Sequence, residues 1–375
     1  MKNIGIITFH RSHNYGSVLQ SYALQTILRK NLIDYNCEII DFIPPNSKEM
    51  YSIFKKNTSI KNIAKNILAL YTYRLKSIRY KEFERFINTR LKLTTKKYFS
   101  QSDLQNISNK YDILICGSDQ IWNTNCLDFD YSYYLPFAKN VKKISYAPSL
   151  GPGAPFKSNE AKERIKEYLK DFYAISVREN EGTRVIQKLT DKKVYTVLDP
   201  TLLLEAKDWD HICSDKVINK DYIFFYSIGY KKNDIAIAKQ ISKKLNIPVV
   251  TLFTLGNRIV FSGFEISKNS APEDFLSLIK NAKLILSSSF HGTVFSIIYR
   301  KPFYSIRKAN GDEIKDDDRI KTLLQEFNLM DRQIDINSVN SIENPFNIDY
   351  SKSEKYIEEA RKRSIEYLLN SINGD

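Results

Sequence analysis

Residues capable of chemistry are concentrated in three short polar segments, and the first is residues 10–17, His-Arg-Ser-His-Asn-Tyr-Gly-Ser. Gly16 permits a tight turn, and the helix expected after it presents unpaired backbone amides and a partial positive charge. Asn14, Gly16 and Ser17 are therefore candidates for binding an acceptor or an anion. Asn14 can instead merely cap that helix, although capping and ligand contact are not exclusive. The segment lacks the GxGxxG pattern of a dinucleotide site.

The second polar segment is residues 117–123, Gly-Ser-Asp-Gln-Ile-Trp-Asn, which follows an apolar strand pattern. Asp119 stands at the end of that strand, where it can act as a general base on a sugar hydroxyl or only cap a helix. Gln120 and Asn123 have amide groups that can hydrogen-bond a sugar. For Trp122, packing in the core is favoured over stacking on a sugar ring.

The third polar segment is residues 287–293, Ser-Ser-Ser-Phe-His-Gly-Thr, at the expected start of another helix. Backbone amides at that position can hold a phosphate, and the imidazole of His291 can donate a proton near neutral pH. We therefore predict His291 to be catalytic and Ser289, Gly292 and Thr293 to bind a donor. Ser289 can alternatively serve only as the helix cap.

A further candidate is Arg178, which follows a strand pattern in the segment Ser-Val-Arg-Glu. A guanidinium can grip a carboxylate or a phosphate with two parallel hydrogen bonds, so Arg178 is a candidate anion clamp. The alternative is an exposed residue in the first turn of a helix, or one paired with Glu179. The other histidines, His10, His13 and His211, lack comparable surroundings in the sequence.

The elements that position these segments follow from short apolar runs that alternate with helical patterns. Strands are predicted at Ile4–Phe9, Glu38–Phe42, Tyr111–Cys116, Lys143–Ala147, Phe172–Ser176, Val194–Leu198, Tyr222–Tyr226, Pro248–Phe253, Leu284–Leu286 and Pro302–Ser305. Helices are predicted after the first strand and near 231–245, 272–280, 290–299 and 351–370. Apolar strands separated by helices indicate an α/β fold with parallel sheets covered on both faces. Such sheets bind ligands beyond the carboxyl ends of their strands.

The length of 375 residues suits two domains rather than one. We predict an N-terminal Rossmann-like domain at 1–205 and a C-terminal one at 206–335. The segment 336–375 is expected to end in a helix that packs back across the domains. The helix near 272 is predicted to start with a capping box in which Ser270 and Glu273 bond each other's backbone amides.

Residues 51–100 form a basic helical insertion in the first predicted domain, with thirteen Lys and Arg against two Glu. Apolar residues at helical spacing mark one amphipathic helix near 60–71 and another around Phe83 and Ile87. The favoured interpretation is a basic face that is simply solvated. The alternative is a patch that faces the acceptor or a membrane.

Composition narrows the class of protein further. The formal charge of +14 favours anionic partners, although a Lys-rich composition can also reflect an AT-rich genome. The four cysteines form no CxxC pair and no zinc-ligand spacing, which predicts a reducing compartment and no metal site. Neither a signal peptide nor a membrane-spanning apolar run is recognisable, so a cytoplasmic location is expected.

The polar segments occur in an order that resembles the polysaccharide pyruvyltransferase family across roughly residues 1–330. The stretches that carry the resemblance are Asn14–Gln20, Gly117–Asn123, Ser145–Gly151, Ser176–Glu179, Leu198–Thr201, Ser289–Phe295 and Lys301–Phe303. Each motif is weak alone, whereas the ordered set is fairly specific.

The resemblance implies a GT-B-like fold with two Rossmann-like domains facing a cleft. It also implies phosphoenolpyruvate as the donor substrate, no cofactor, and a ketal-pyruvylated sugar of a capsule or exopolysaccharide, or its precursor, as product. Arg178 and His291 match family residues implicated in donor binding or catalysis. One departure is Ser289, because better-studied members have an arginine there, so one expected cation for the donor is missing. Either another basic residue replaces that arginine or the donor differs. The resemblance also implies that the acceptor is a sugar or glycan, which can be linked to a lipid. An enzyme with such an acceptor would be expected to contact the anionic inner face of the membrane peripherally.

Other functions remain open at this stage. A GT-B glycosyltransferase that uses a nucleotide-sugar is the nearest alternative, because a helix start can also hold a diphosphate. A basic nucleic-acid-binding protein is less favoured, since the basic residues cluster in one insertion and no nucleic-acid module is recognisable. A non-catalytic glycan-binding protein is disfavoured by polar segments in both predicted domains.

Overall fold

The computed structural model describes residues 2–54, 60–254, 257–310, 313–315 and 317–374. Its strands are β1 Lys2–Ile7, β2 Tyr35–Phe42, β3 Leu93–Tyr98, β4 Ile113–Cys116, β5 Lys142–Ser145, β6 Ile175–Val177, β7 Val194–Thr196, β8 Ile223–Tyr226, β9 Val249–Thr251, β10 Glu265–Ile266, β11 Leu284–Ser287, β12 Phe303–Ile306, β13 Lys308–Asn310, β14 Glu313–Lys315 and β15 Gln333–Ile334. Its α-helices are α1 Tyr15–Asn31, α2 Pro45–Tyr51, α3 Ile60–Tyr71, α4 Tyr73–Arg90, α5 Asn159–Leu169, α6 Asn180–Gln187, α7 Ala206–Asp210, α8 Lys232–Leu245, α9 Pro272–Asn281, α10 Phe290–Ile298, α11 Asp318–Glu326 and α12 Ser351–Asn373.

The first sheet is parallel and has the strand order β3-β2-β1-β4-β5. All residues of β4 are buried, which is why this strand reads as a continuous apolar run. β6 pairs in parallel with β7, and an isolated bridge joins Ile144 of β5 to Ala174 just before β6. The polar segments after β1 and β4 therefore emerge at the same edge, because these strands are parallel neighbours.

The second sheet has the order β10-β9-β8-β11-β12-β15 and is also parallel. Its central strands β8, β11 and β12 are buried along their length. A core of apolar side chains from β8, β11 and α8, among them Phe225, Leu286 and Ile241, fills one face. These two sheets with their covering helices confirm the predicted α/β fold.

The chain divides into two compact units. The first unit comprises Met1–Ser52, Phe86–Leu204 and Glu358–Asp375, and the second comprises Ile53–Arg85 and Glu205–Ile357. Much of the predicted insertion thus groups with the second unit, although the sequence analysis placed it in the first domain. One long-range contact within the second unit is made by Arg85, which donates two hydrogen bonds to Glu273 of α9. Residues 55–59 of that insertion lie outside the described residues.

The last helix, α12, contributes residues to both units, with the change between Ile357 and Glu358. Within the second unit, the Ser353 hydroxyl donates to the carbonyl of Phe327 at 2.7 Å. Within the first unit, the Tyr367 hydroxyl donates to the carbonyl of Ser145 at 3.0 Å. Among the described helices, none is long and apolar enough to cross a lipid bilayer.

The predicted capping box at α9 is displaced by one residue. Ala271, not Ser270, is the N-cap, and its amide donates to the Asp274 carboxylate at 2.9 Å. Pro272 occupies the first helical position, which suits its fixed φ and missing N–H. Glu273 accepts two hydrogen bonds from Arg85. Since Ser270 is not the N-cap, the prediction of a capping box that starts at Ser270 is wrong.

Candidate functional site

The turn after β1 is organised by Asn14, whose Oδ1 accepts from the amides of Gly16 at 2.9 Å and Ser17 at 3.4 Å. Asn14 is therefore the N-cap of α1, which is the capping role that the sequence analysis gave beside ligand binding. The Ser17 hydroxyl donates to Oδ2 of Asp119. This contact joins the first and second polar segments, as expected for loops at neighbouring carboxyl ends of one sheet.

Asp119 has a left-handed φ of 73° with ψ of −174°, a conformation rare for a residue with a side chain. Its Oδ1 accepts from the amide of Gln120 at 2.8 Å, so it also caps the short 3₁₀-helix at residues 120–122. The carboxylate is buried, and the nearest nitrogen of the Arg178 guanidinium lies 3.8 Å away. Asp119 thus lies between a hydroxyl donor and a cation.

Arg178 is buried, and its Nη1 donates to Oδ2 of Asp199 at 2.6 Å. Asp199 is held in turn by Thr201, whose amide and hydroxyl donate to Oδ1 at 3.0 and 2.6 Å. The alternatives of an exposed arginine or one paired with Glu179 are therefore wrong. Glu179 instead accepts from the Ser149 hydroxyl at 3.0 Å and the Leu150 amide at 2.8 Å.

Gln120 and Asn123, predicted to bind a sugar, bond to each other. The Asn123 amide donates to Gln120 Oε1 at 3.0 Å, and Asn123 Oδ1 accepts from the amide of Asn125 at 3.0 Å. Gly151 lies over this pair, because a Cβ there would come 2.1 Å from Asn123 Nδ2. Asn123 therefore shapes the loop, whereas Gln120 keeps a partly exposed face.

Trp122 belongs to the core of the first unit, as favoured from the sequence. Its ring is fully buried and stacks on Tyr134 with centroids 4.8 Å apart. The edge of Phe172 packs against it at 5.9 Å, and Nε1 lies 3.4 Å from the carbonyl of Tyr133. Stacking of Trp122 on a sugar is excluded, because no ring face is accessible.

A buried ionic cluster follows β1 and was missed by sequence reasoning. Arg11 grips Asp41 with Nε at 2.9 Å and Nη2 at 2.6 Å, and His10 Nε2 lies 3.1 Å from Oδ1 of Asp41. Burial alone would raise the pKa of Asp41, but the hydrogen bonds from His10 and Arg11 outweigh it and lower that pKa well below its usual value. The available signal was a carboxylate within the apolar pattern of β2.

Asp128 is a second carboxylate that the sequence analysis missed, and no local pattern marks it. It accepts from the hydroxyls of Ser12 at 3.2 Å and Tyr51 at 3.4 Å, while the ring of His13 lies 5.5 Å from that of Tyr51. Burial raises the pKa of Asp128, and the negative charge of Asp119 adds to the effect. The first unit thus holds carboxylates of opposite pKa behaviour near its β1 and β4 loops.

In the second unit, Ser289 is the N-cap of α10, and its hydroxyl accepts from the amide of Gly292 at 3.5 Å. The Ser287 hydroxyl donates to the carbonyl of Tyr226 at 2.8 Å and accepts from the Ser289 amide at 3.1 Å. A Cβ on Gly292 would come 2.1 Å from that hydroxyl, so only glycine lets α10 begin this close to β11. Thr293 Oγ1 donates to the carbonyl of Ser289 and contacts Ser305 Oγ, each at 3.2 Å.

His291 lies in the first turn of α10 and is buried. Its ring meets the edge of Phe290 with centroids 5.1 Å apart. The helix start directs amides and a partial positive charge toward this turn, which favours an anion beside the imidazole. The structure therefore groups His291 with Ser289, Gly292 and Thr293, as the sequence pattern indicated.

A chain of buried hydrogen bonds leads from the loop before α10 to the start of α8. The Ser288 hydroxyl donates to Ser227 Oγ at 2.9 Å, and the Ser227 hydroxyl donates to Oδ2 of Asp234 at 2.5 Å. All three side chains are buried, and Asp234 lies in the first turn of α8. This network fixes the loops after β8 and β11 relative to each other, and a carboxylate at a helix start adds stability.

Arg319 is a buried cation near α10 that sequence reasoning did not identify. Its Nε and Nη2 donate to the two oxygens of Asp317 at 2.8 and 2.6 Å, which fixes the plane of the guanidinium. Its Cζ lies 6.0 Å from the centroid of the Phe290 ring, next to His291. The second unit therefore has a cation near the position where Ser289 replaces the expected arginine.

The described residues contain no group of three or more His, Cys, Asp or Glu side chains that could hold a metal ion.

Comparison with solved structures identifies the class of fold. UDP-GlcNAc 2-epimerase from Methanocaldococcus jannaschii matches with a TM-score of 0.53 and 12% identity, over 95% of this chain and 98% of that chain. The S. aureus MnaA–UDP co-structure gives 0.55 and 10% identity, over 100% and 97%. UDP-N-acetylglucosamine 2-epimerase from Rickettsia bellii gives 0.51 and 12% identity, over 100% and 97%.

These likenesses show an α/β, GT-B-like fold with two Rossmann-like domains. No curated protein matches the sequence significantly. A family model described as polysaccharide pyruvyl transferase, however, matches residues 14–308, which include the turns that begin α1 and α10. Since that match spans well over half of the chain, the protein belongs to the polysaccharide pyruvyl transferase family and is a transferase.

Proposed function

We propose that the protein transfers a pyruvyl group from phosphoenolpyruvate to a sugar of a cell-surface polysaccharide or its precursor, forming a pyruvate ketal. The family match over residues 14–308 supports pyruvyl transfer. The observation that carries the proposal is the position of buried His291 in a helix start lined by Ser289 and Gly292. No cofactor is needed, because the donor already contains the activated group.

The reaction requires an acid, a base and cations. A proton is added to the methylene carbon of phosphoenolpyruvate, and the electron deficiency that develops at the adjacent carbon is relieved by attack of one sugar hydroxyl. The C–O bond to phosphate then breaks, with its electron pair leaving on the phosphate. A second hydroxyl attacks the same carbon and closes the ketal. Each hydroxyl loses its proton as the new C–O bond forms, so a base accelerates these steps.

We assign the acid role to His291, because its imidazole lies in the first turn of α10, beside the amides assigned to the donor, and an imidazolium can deliver a proton to carbon. The amides at the start of α10, with Ser289 and Thr293, are assigned to the donor phosphate. We infer that Arg319 supplies the cation that the serine at position 289 does not. Its guanidinium is oriented by Asp317 and lies against Phe290, the neighbour of His291.

In the first unit, we assign Asp119 as the base for a sugar hydroxyl. Its carboxylate accepts from the Ser17 hydroxyl and lies 3.8 Å from the guanidinium of Arg178, and these contacts hold it at the carboxyl edge of the sheet. Arg178 is assigned to an anionic group of the donor. Its ion pair with Asp199 holds the guanidinium in place before any ligand arrives.

The remaining candidates of the first unit are assigned to acceptor or anion binding at the start of α1 and the partly exposed loop after β4. They are Asn14, Gly16, Ser17, Gln120 and Asn123. As part of the same proposal, the enzyme works in the cytoplasm, which suits four cysteines that form no disulfide. A lipid-linked glycan is a natural acceptor for an enzyme that acts before the polysaccharide is exported.

The test is release of inorganic phosphate from phosphoenolpyruvate in the presence of a panel of sugar and glycan acceptors. We expect release that depends on the acceptor, and a mass increase of the product that matches a pyruvate ketal. His291→Ala should abolish release. The matched control is His211→Ala, because His211 is an exposed histidine of the same unit. Asp119→Asn is likewise compared with Asp191→Asn at an exposed position of the first unit.

A second measurement separates this reaction from nucleotide-sugar transfer on the same fold. Thermal shifts are recorded with phosphoenolpyruvate, UDP-sugars and GDP-sugars, since a ligand that binds only the folded state raises the melting temperature. We expect stabilisation by phosphoenolpyruvate alone. Turnover of a nucleotide-sugar without phosphate release from phosphoenolpyruvate would overturn the donor assignment. Full activity of His291→Ala would overturn the acid role while leaving the donor intact.

A further inference from the structure

The helices α3 and α4 expose apolar and aromatic side chains that the proposed reaction does not use. On α3, Ile63, Ile67, Leu70 and Tyr71 are 47%, 65%, 66% and 75% exposed. Positions separated by three or four residues lie on the same side of a helix, so these four side chains form one stripe. Ala69 is 1% exposed and marks a different side of α3 that faces the protein. A face that is only basic and solvated does not account for this apolar stripe.

The adjoining helix α4 exposes a band of a different kind. Tyr73 and Tyr80 are separated by seven residues, as are Arg74 and Lys81, so each pair recurs on one side of the helix. All four side chains are exposed, whereas Phe83 is completely buried. Tyrosine with arginine or lysine is the combination that accumulates where a protein meets the headgroup region of a bilayer.

The same part of the chain has the charge that an anionic surface requires. Residues 51–100 contain thirteen Lys and Arg and only two acidic residues, Glu82 and Glu84. Of the cations on α4, Arg74 and Lys81 are exposed, whereas Arg79 is buried and Arg85 is paired with Glu273. Each cation close to an anionic bilayer contributes on the order of 1 kcal/mol, and an apolar helix face adds the burial of its side chains. Neither term alone gives stable attachment, but their combination does.

We propose that the stripe of Ile63, Ile67, Leu70 and Tyr71 on α3 inserts into the headgroup region of an anionic phospholipid bilayer, with the exposed basic residues of α4 holding it there. The occupant is lipid rather than a second copy of this chain, because two copies docked through this segment would bring like charges together. The inference is independent of the donor and of the chemistry proposed above.

Fluorescence offers a direct test, since both tryptophans of the chain, Trp122 and Trp209, are completely buried. A Tyr71→Trp variant adds an exposed reporter to the stripe. The matched control is Ile33→Trp, at a residue that is 80% exposed in the first unit and outside the stripe. On addition of phosphatidylcholine vesicles containing phosphatidylglycerol, we expect the emission of Tyr71→Trp to shift to the blue and that of Ile33→Trp to stay unchanged. Pure phosphatidylcholine vesicles should give little shift.

Vesicle sedimentation of the full chain tests the stripe by removal. We expect Ile63→Asn/Ile67→Asn/Leu70→Asn to bind these anionic vesicles about tenfold more weakly or worse, with an unchanged melting temperature because the side chains are exposed. High salt should release the wild-type protein. Failure of the wild type to bind, equal binding by the triple variant, or a matching shift of Ile33→Trp would each overturn the proposal. The proposal would also be overturned if the wild type dimerised with rising concentration, the triple variant did not, and neither protein bound to the vesicles.

Discussion

The guanidinium of Arg178 donates a 2.6 Å hydrogen bond to the carboxylate of Asp199, and both side chains are almost completely buried. The two residues follow the neighbouring parallel strands β6 and β7, so the sheet itself brings them together. A buried cation of this kind depends on its carboxylate, because desolvation without a partner is costly. The ion pair should therefore contribute to the stability of the first unit.

Replacing Asp199 with Asn should destabilise the first unit by about 1.5–3 kcal/mol, because it removes the charged partner that the buried Arg178 guanidinium bonds at 2.6 Å and leaves only Asp119 at 3.8 Å. Asn keeps the shape of the side chain and the oxygen that accepts from Thr201, so the substitution measures the effect of removing the negative charge alone. The measurement is urea unfolding in a Trp209→Phe background, in which fluorescence reports Trp122 of this unit. Asp171→Asn is the control, since its pair with Lys143 is mostly exposed on the aspartate side and should matter by less than about 1 kcal/mol. Equal midpoints for the two variants would refute the structural role.

Gly292→Ala should destabilise the second unit by about 1–3 kcal/mol and reduce activity, because a Cβ there would lie 2.1 Å from the hydroxyl of Ser287. Trp209 reports the change, as its ring packs on Phe295 of α10 at 4.9 Å. A Ser287→Gly background removes the obstructing hydroxyl and should recover part of the loss. If the double variant is destabilised by the sum of the single changes, the steric explanation fails.

The fold was largely predictable because its central strands are apolar on both faces. The run Ile113–Cys116 and its counterpart Leu284–Ser287 are buried throughout, and such runs are visible in the sequence. The strand Leu93–Tyr98 was missed and assigned to a helical insertion. It lies at the edge of the first sheet, where only Tyr98 is buried, so its sequence shows no apolar run.

The sequence predicted the turns that carry the candidate site residues, but it did not predict which side chains contact each other between those turns. The helix start that contains Ser289 and His291 was predicted because helix starts have local sequence signals. The partners of Asp119 and Arg178, by contrast, are Ser17 and Asp199, which lie 102 and 21 residues away in the chain. Only the order and direction of strands decide such pairings, and a single sequence does not specify the strand order.

The carboxylates Asp41 and Asp128 should affect stability with opposite dependence on pH. The pKa of Asp41 is lowered in the folded state, so its contribution is present above the unfolded pKa of about 4 and is lost as the pH falls through the folded pKa. The pKa of Asp128 is raised, so its charged form costs stability once the pH rises from about 4 through the folded pKa. Melting temperatures of the two Asn variants from acid to neutral pH measure both effects.

We expect Asp41→Asn to be less stable than the wild type at neutral pH, because it leaves His10 and Arg11 buried without their carboxylate. Asp128→Asn should be more stable than the wild type at neutral pH, and this gain should vanish as the pH falls below about 4, where the Asp128 carboxyl of the wild type is protonated in folded and unfolded chains alike. Asn retains an oxygen that accepts from Ser12 and Tyr51, so lost hydrogen bonds do not mask the effect. Shifts of the same sign for both variants would contradict the assignment.

Arg319 should govern the affinity for phosphoenolpyruvate if it replaces the arginine that Ser289 displaces. Arg319→Gln should raise KM for phosphoenolpyruvate about tenfold to a hundredfold, the loss expected for a hydrogen bond to a charged group. Arg319→Lys keeps the charge but not the fork that bonds Asp317, so it should raise KM less and retain kcat. The exposed Arg300, paired with Glu354 in the same unit, supplies the control Arg300→Gln, which should leave both constants unchanged. A purely structural role for Arg319 would instead lower the melting temperature of both Arg319 variants without a selective effect on KM for the donor.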